Sequence, residues 1–228
     1  MNRRTLVFIT LAVVLAAVFI RLGFWQLSRL SERRARNAGI AARMAATPMP
    51  FEMLRDTTSF RRAILFGTPD YSREVVYAGR SRDGSPGVYL LTPVRMSPDE
   101  PVAIVIRGWV YSPDAATVDL SRWRENRIQF SGYVSALPHQ PSTLPVNRTV
   151  RSLDRKSLQG LFPYPIAPLY LVAQDSAGAN APVRLAAPRL DDGPHLSYAI
   201  QWFSFAAIAL VGGFVVARRP QSGGDTQG

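Results

Sequence analysis

The segment Leu196–Ala217 reads LSYAIQWFSFAAIALVGGFVVA and contains no charged residue over 22 positions. A membrane-spanning helix needs about 20 consecutive apolar residues, so this segment predicts one. Arg218 and Arg219 close the run, and basic residues of this kind mark the cytoplasmic end of a span. We therefore expect a transmembrane helix over residues 196–217, followed by a disordered cytoplasmic tail over residues 218–228.

A second apolar run lies near the start of the chain, from Thr5 to Trp25. Arg21 is the one charged residue inside it, and its long side chain can extend to the membrane surface. A cleaved signal peptide is the alternative interpretation. No small-x-small cleavage site follows the apolar core, so a retained transmembrane helix over residues 5–25 is favoured.

Two spans place both chain ends on the same side of the membrane. The basic residues at both ends assign residues 1–4 and 218–228 to the cytoplasm, and residues 26–195 then lie on the periplasmic side of a bacterial inner membrane. One observation opposes this orientation, because several arginines follow the first span on the outer side: Arg29, Arg33, Arg34 and Arg36. Long translocated domains obey the charge rule poorly, so the orientation is kept.

The pattern between the spans changes from helical to β. Residues 26–46 are rich in Arg, Ala, Leu and Glu and lack proline, which predicts that the first helix continues beyond the bilayer. Runs rich in Val, Ile, Tyr and Thr, separated by turn residues, then predict four strands: Glu74–Ser81, Val88–Arg95, Val102–Val110 and Ile128–Leu137. Two late strands are expected at Tyr170–Gln174 and Val183–Ala186.

Short helices are expected near Phe51–Arg55 and over Leu153–Leu161, where Asp154 can cap the first turn. For the segment Ala115–Arg124, the sequence is compatible with either a short helix or an irregular crossover. The predicted fold class is membrane α+β, in which two transmembrane helices flank a mainly antiparallel outer domain with a small, barrel-like sheet and short helices.

Composition excludes several kinds of site. There is no cysteine, so disulfides, thiolate nucleophiles and Cys-ligated metals are absent. With two histidines, His139 and His195, a three-His metal site within one chain is impossible. No Gly-rich phosphate loop or Gly-x-Ser-x-Gly motif occurs, so we do not expect an enzyme. The net charge of +11 fits membrane lipid better than nucleic acid, given the two spans.

His195 is notable because it immediately precedes the second span. Tyr198 and Trp202 follow at i+3 and i+7, so the three side chains share one helical face. A neutral imidazole can bind haem iron, and the two aromatic rings could flank a flat apolar ring. The alternative is a belt of interfacial aromatic residues, which the residues alone favour. His139 is expected to be an exposed loop residue, and Arg107 is expected to pair with a carboxylate.

Several motifs resemble one family. LGFWQLSR at Leu22–Arg29 is similar to the Leu-Gly-x-Trp-Gln-x-x-Arg signature of the Surfeit-locus-one family of cytochrome c oxidase assembly proteins, and HLSYAIQWF at His195–Phe203 is similar to its His-Leu-x-Tyr-Ala-x-x-Trp-Phe. Further matching positions follow in the family's order: Arg61-Arg62, Gly67, Tyr71, Glu74, Gly79-Arg80, Gly87, Leu91-Thr92-Pro93 and Arg107–Val110. The segment Ala115–Asn126 departs from the family pattern.

The resemblance implies a cytochrome c oxidase biogenesis factor that binds haem a at the outer membrane face and assists its insertion into the catalytic subunit. Haem a synthase, the oxidase catalytic subunit and membrane lipid are the implied partners. The family's candidate iron ligand falls on His195, and Tyr198, Trp202 and Trp25 are the other candidate haem-contacting residues. The alternative is an assembly scaffold or accessory subunit that does not bind haem.

Overall fold

The computed structural model describes residues 3–55, 59–139, 145–178 and 180–218. The chain forms two compact units. The helix unit comprises the chain up to Gly39 together with the chain from Leu190 onward, and the sheet unit comprises Ile40–Arg189. The tail from residue 219, predicted to be disordered, lies outside the described residues.

Three α-helices occur in the described part of the chain: α1 (Arg3–Ala45), α2 (Arg155–Gln159) and α3 (His195–Arg218). Helices α1 and α3 are long and apolar enough to cross a membrane, which indicates a membrane protein. α1 continues without interruption past its apolar segment, because no proline or glycine pair breaks the polar stretch that follows.

Small residues allow α1 and α3 to lie close together. The buried residues of α3 are Ala199, Ala206 and Gly213, one every seven positions. A Cβ atom on Gly23 of α1 would lie 2.6 Å from the ring of Phe203, so a larger side chain there would push the helices apart. Close packing of this kind, rather than hydrophobic burial, is what holds helices together in lipid.

The described residues of the sheet unit form nine strands, all in one sheet: β1 (Met49–Pro50), β2 (Arg62–Phe66), β3 (Thr68–Pro69), β4 (Val75–Arg82), β5 (Ser85–Arg95), β6 (Val102–Tyr111), β7 (Gln129–Ala136), β8 (Thr149–Val150) and β9 (Ile166–Ala173). Their order is β1-β2-β7-β9-β6-β5-β4-β8, with β3 paired to β5. Five of the neighbouring pairs are antiparallel, whereas β1 and β2, β4 and β8, and β6 and β9 are parallel.

The four strands predicted from the β pattern are confirmed as β4, β5, β6 and β7. The sheet is mixed rather than simply antiparallel, because alternation along a strand does not specify its partner. Closure into a barrel is not confirmed, since no pairing joins β1 to β8 among the described residues. The prediction of a late strand at Val183–Ala186 is wrong. Val183 makes an isolated bridge to Trp109, and the three residues after it form no β pairing.

The two predicted short helices are present but span fewer residues than expected. Phe51–Met53 is a 3₁₀ turn, and α2 begins after Asp154, whose carboxylate accepts a hydrogen bond of 2.7 Å from the Ser157 amide. The segment Ala115–Arg124, for which a short helix and an irregular crossover were both possible, is irregular and contains a 3₁₀ turn at Leu120–Trp123 near its end.

Apolar residues cover both faces of the sheet, as β9 shows. Leu169 and Leu171 belong to the cluster on one face, whereas Tyr170 and Val172 belong to the cluster on the other. Leu158 of α2 packs against this second face. Because both faces are covered, β5 and β6 are apolar along most of their length rather than alternating.

Candidate functional site

His195 is the first residue of α3 and is half-buried. Its Nδ1 atom lies 2.9 Å from the side-chain Oε1 of Gln26 on α1. An amide oxygen accepts hydrogen bonds, so this contact suits an imidazole with the proton on Nδ1. In that neutral tautomer the second ring nitrogen, Nε2, keeps its lone pair and can bind a metal.

Ion pairs fix the two helices beside this histidine. Arg33 Nη2 lies 2.6 Å from Asp191 Oδ1, and Arg34 Nη2 lies 2.7 Å from Asp192 Oδ2. Asn37 donates a hydrogen bond of 2.8 Å to the backbone carbonyl of Asp191. The hydrogen bond from Arg34 lowers the pKa of Asp192; burial acts in the opposite direction, and the charges of Arg34 and Arg33 add to the lowering. We call this set of contacts the Arg–Asp clasp. Its exposed pairs contribute little stability individually, but together they set the register of α1 against the start of α3.

Ion pairs involve three of the four arginines that oppose the predicted orientation. Arg33 and Arg34 are neutralised by the two aspartates of the clasp, and Arg29 pairs with Glu32 at 2.8 Å. The basic stretch after the first apolar segment is therefore largely balanced by nearby carboxylates. Its net charge is smaller than the sequence pattern indicates.

The three aromatic residues predicted to contact a cofactor differ in their surroundings. Tyr198 is 46% exposed and Trp25 is 49% exposed, so both offer free ring surface. Trp202 instead stacks on Phe19 of α1, with ring centroids 5.7 Å apart and planes 22° apart. Trp202 therefore contributes to packing between the helices, two turns along α3 from His195.

Gln26 is the contact of His195 that the sequence did not identify. It belongs to the motif Leu22–Arg29, but nothing in the sequence places it opposite His195, which is 169 positions away. His139, by contrast, is exposed in the sheet unit, as expected. Among the described residues, no group of three or more His, Asp or Glu side chains could hold a metal ion.

A second cluster of motif residues is buried in the sheet unit, around Arg107. Its side chain is inaccessible to solvent and forms an ion pair with Glu74, which is equally buried. Arg107 Nε also donates to the hydroxyl of Thr92 at 2.6 Å, and Nη1 lies 3.0 Å from Glu125 Oε2. The expected pairing of Arg107 with a carboxylate is thus confirmed, with two carboxylates rather than one.

The charge network continues outward from Glu125. Arg184 Nη2 lies 2.5 Å from Glu125 Oε1, and Arg184 Nε lies 3.1 Å from Asp175 Oδ1. Arg127 pairs with the same aspartate at 2.9 Å. Burial acts to raise the pKa of Glu125, but hydrogen bonds and charge from Arg184, then Arg107, lower it overall. Alternating charges of this kind hold the irregular segment before β7 against the sheet.

Comparison with known proteins identifies the family. A model of the SURF1 family matches residues 13–207. The chain belongs to the SURF1 family. The SURF1-like protein of Rickettsia felis is 27% identical over 215 residues, which cover 89% of this chain and 92% of that protein. The SURF1-like protein of Rickettsia conorii is 27% identical over 232 residues, covering 96% and 92%.

SURF1 membership implies a role in cytochrome c oxidase assembly. The motifs that carried the resemblance form two groups in the structure. Gln26 and His195, from the two terminal motifs, meet in the helix unit. Glu74, Thr92 and Arg107, from the central motifs, meet in the interior of the sheet unit. The first group contains an imidazole, which can bind a metal, whereas the charged groups of the second pair with one another.

Proposed function

We propose that this SURF1 chain is a non-enzymatic biogenesis factor that binds haem a and assists its insertion into the catalytic subunit of cytochrome c oxidase. His195 binds the iron through Nε2. The contact between Nδ1 and Gln26 carries this proposal, because it orients the imidazole and favours the neutral tautomer in which Nε2 can bind iron. Metal-binding histidines are usually held in this way.

The surroundings of His195 suit a large amphiphilic cargo. Tyr198 and Trp25 present exposed aromatic surface on α3 and α1. The remaining exposed surface of both helices is rich in Leu, Val, Ile and Phe, which suits the lipid tail of haem a. One strong ligand gives moderate affinity, and a delivery protein needs moderate affinity because the cargo must leave.

The proposed setting is the bacterial inner membrane, with the sheet unit on the periplasmic side. The two candidate spans support this arrangement, and haem a synthase and the oxidase catalytic subunit are the proposed donor and acceptor. Orientation is tested by fusing a reporter that is active in the periplasm after Ser112. An active reporter is expected, and a reporter with cytoplasmic behaviour contradicts the orientation.

Haem binding is tested by co-expressing the chain with haem a synthase, purifying it and recording its visible spectrum and haem content. Wild type and His139→Ala should carry haem a, and His195→Ala should lose most of it. His139 is the matched control, because it is the other histidine of the chain and is exposed in the sheet unit. An unchanged haem content in His195→Ala would eliminate His195 as the iron ligand.

The same experiment distinguishes the scaffold alternative. A wild-type protein that is colourless but still co-purifies with oxidase subunits identifies a scaffold or accessory subunit. In that case His195, Tyr198 and Trp202 act as interface anchors. The stacking of Trp202 on Phe19 is the contact that favours this alternative.

A further inference from the structure

One face of the sheet carries a row of tyrosines that have no role in the proposed function. Tyr77 on β4 lies opposite Tyr89 on β5, and their rings meet edge to face with centroids 5.9 Å apart. Tyr170 on β9 and Tyr133 on β7 continue the row on the same face. These four side chains and Trp109 line a cavity of about 610 Å³, which we call the tyrosine cavity. Small-ligand sites typically measure about 300–1,000 Å³.

The walls of the tyrosine cavity supply hydrogen-bond donors. Burial, reinforced by Tyr170 and Tyr89, raises the pKa of Tyr133 to about 12, and burial likewise raises the pKa of Tyr170. Both hydroxyls therefore stay protonated at neutral pH and can donate. The indole Nε1 of Trp109 is buried and has no hydrogen-bond partner in the part of the chain that the structure describes. An unsatisfied buried donor of this kind is uncommon in folded proteins.

The cavity is also positively charged on one side. The guanidinium of Arg80 lies 4.1 Å from the centroid of the Tyr77 ring and makes no ion pair with a described residue. Arg184 lines the cavity too, but Glu125 and Asp175 already neutralise it. Arg82 also lines the cavity but pairs with Asp83, a carboxylate of the same lining, at 3.5 Å. Among the described lining residues, Arg80 is therefore the cation without a carboxylate partner.

We propose that the tyrosine cavity binds a planar aromatic anion. The flat rings of the ligand stack among the tyrosine side chains, and its anionic group accepts hydrogen bonds from the tyrosine hydroxyls and from Arg80. Aromatic stacking and a desolvated cation give selectivity for a ligand that is both flat and negatively charged. This site lies within the sheet unit and does not depend on His195 or on haem binding.

The test uses the full-length chain in a neutral detergent and the probe pyrene-1,3,6,8-tetrasulfonate. The four sulfonates keep this planar anion out of detergent micelles, and its fluorescence anisotropy reports binding. We expect saturable binding that is weakened about 10–150-fold by Arg80→Gln, since a charge-assisted hydrogen bond of about 1.5–3 kcal/mol is lost and each 1.4 kcal/mol is tenfold. Ala186→Trp, which fills the cavity from an exposed lining position, should abolish binding.

Three controls make the outcome decisive. Arg122→Gln removes the same charge from an arginine that is 78% exposed and lies outside the cavity, and it should leave the affinity unchanged. His195→Ala should also bind the probe normally, whether or not the haem proposal holds. Citrate, an anion without a flat ring, should not displace the probe. Equal weakening by Arg80→Gln and Arg122→Gln, displacement by citrate, or normal binding to Ala186→Trp overturns the proposal.

Discussion

Arg107→Met removes the buried cation that two carboxylates of the sheet unit share. Methionine keeps most of the apolar volume of arginine, so the change acts mainly on charge. Glu125 keeps its ion pair with Arg184, but Glu74 loses the partner that faces it. Glu74 is fully buried, and its Oε2 atom already lacks a hydrogen-bond partner among the described residues. The variant therefore leaves an uncompensated carboxylate in the interior.

The magnitude follows from that burial. Removing one partner of a buried ion pair destabilises a protein by about 3–5 kcal/mol. For a domain of this size, each kcal/mol lowers the unfolding temperature by about 2–4 °C, so the expected decrease is about 6–20 °C. Burial already raises the pKa of Glu74, and losing Arg107 raises it further. A group with a raised folded-state pKa loses stability as the pH rises, so the defect of Arg107→Met should grow with pH.

The assay is thermal unfolding of the full chain in detergent, followed by the circular dichroism of the sheet. Glu74→Gln combined with Arg107→Met should recover part of the loss, because the buried charge is then gone. Arg122→Met is the matched control: it removes an arginine from an exposed pair with Asp119, and such pairs contribute about 0–1 kcal/mol. The reasoning is refuted if Arg107→Met unfolds within the error of Arg122→Met.

Three further predictions concern other contacts. Gln26→Leu frees the His195 ring and should weaken haem binding by about 10–100-fold, measured by titrating purified protein with haem. The pKa of Glu125 is lowered in the folded chain, so its carboxylate stabilises the fold at a pH above the ordinary pKa of 4.5, and this stabilisation is lost as the pH falls below 4.5. Glu125→Gln should therefore reduce the loss of stability at acid pH, measured by thermal unfolding at a series of pH values. Gly23→Leu should separate the helices and reduce haem content, whereas Gly212→Leu, which points into open space, should not.

Much of the fold could be predicted because its signals are local. A charge-free apolar run specifies a helix wherever it stands, and the runs that became β4 to β7 carry their own strand pattern. β2 was missed because its run of five residues, Arg62–Phe66, is shorter than the runs that stand out and begins at the second of two consecutive arginines. The parallel pairing of β6 with β9 was missed because strand partners are chosen by long-range packing.

The candidate site, like the fold, could be predicted from the sequence only where its signals are local. The position of His195 at the start of a span is visible in the sequence, and so is its spacing to Tyr198. Its contact with Gln26 is not visible, because the two residues come from opposite ends of the chain. The partners of Arg107 were equally hidden, since Glu74 and Glu125 lie in separate segments that meet only after folding.

The Arg–Asp clasp has a consequence for the order in which the chain is made. Ribosomes release the N-terminal end first, so Arg33 and Arg34 emerge 158 residues before the aspartates that neutralise them. Throughout most of translation the first helix carries an unbalanced positive segment. A chain truncated before residue 190 would leave the arginines of that segment without these aspartates, and Gln26 would have no histidine to contact. Completion of about the last sixth of the chain is therefore what brings His195 to Gln26 and the two aspartates to their arginines.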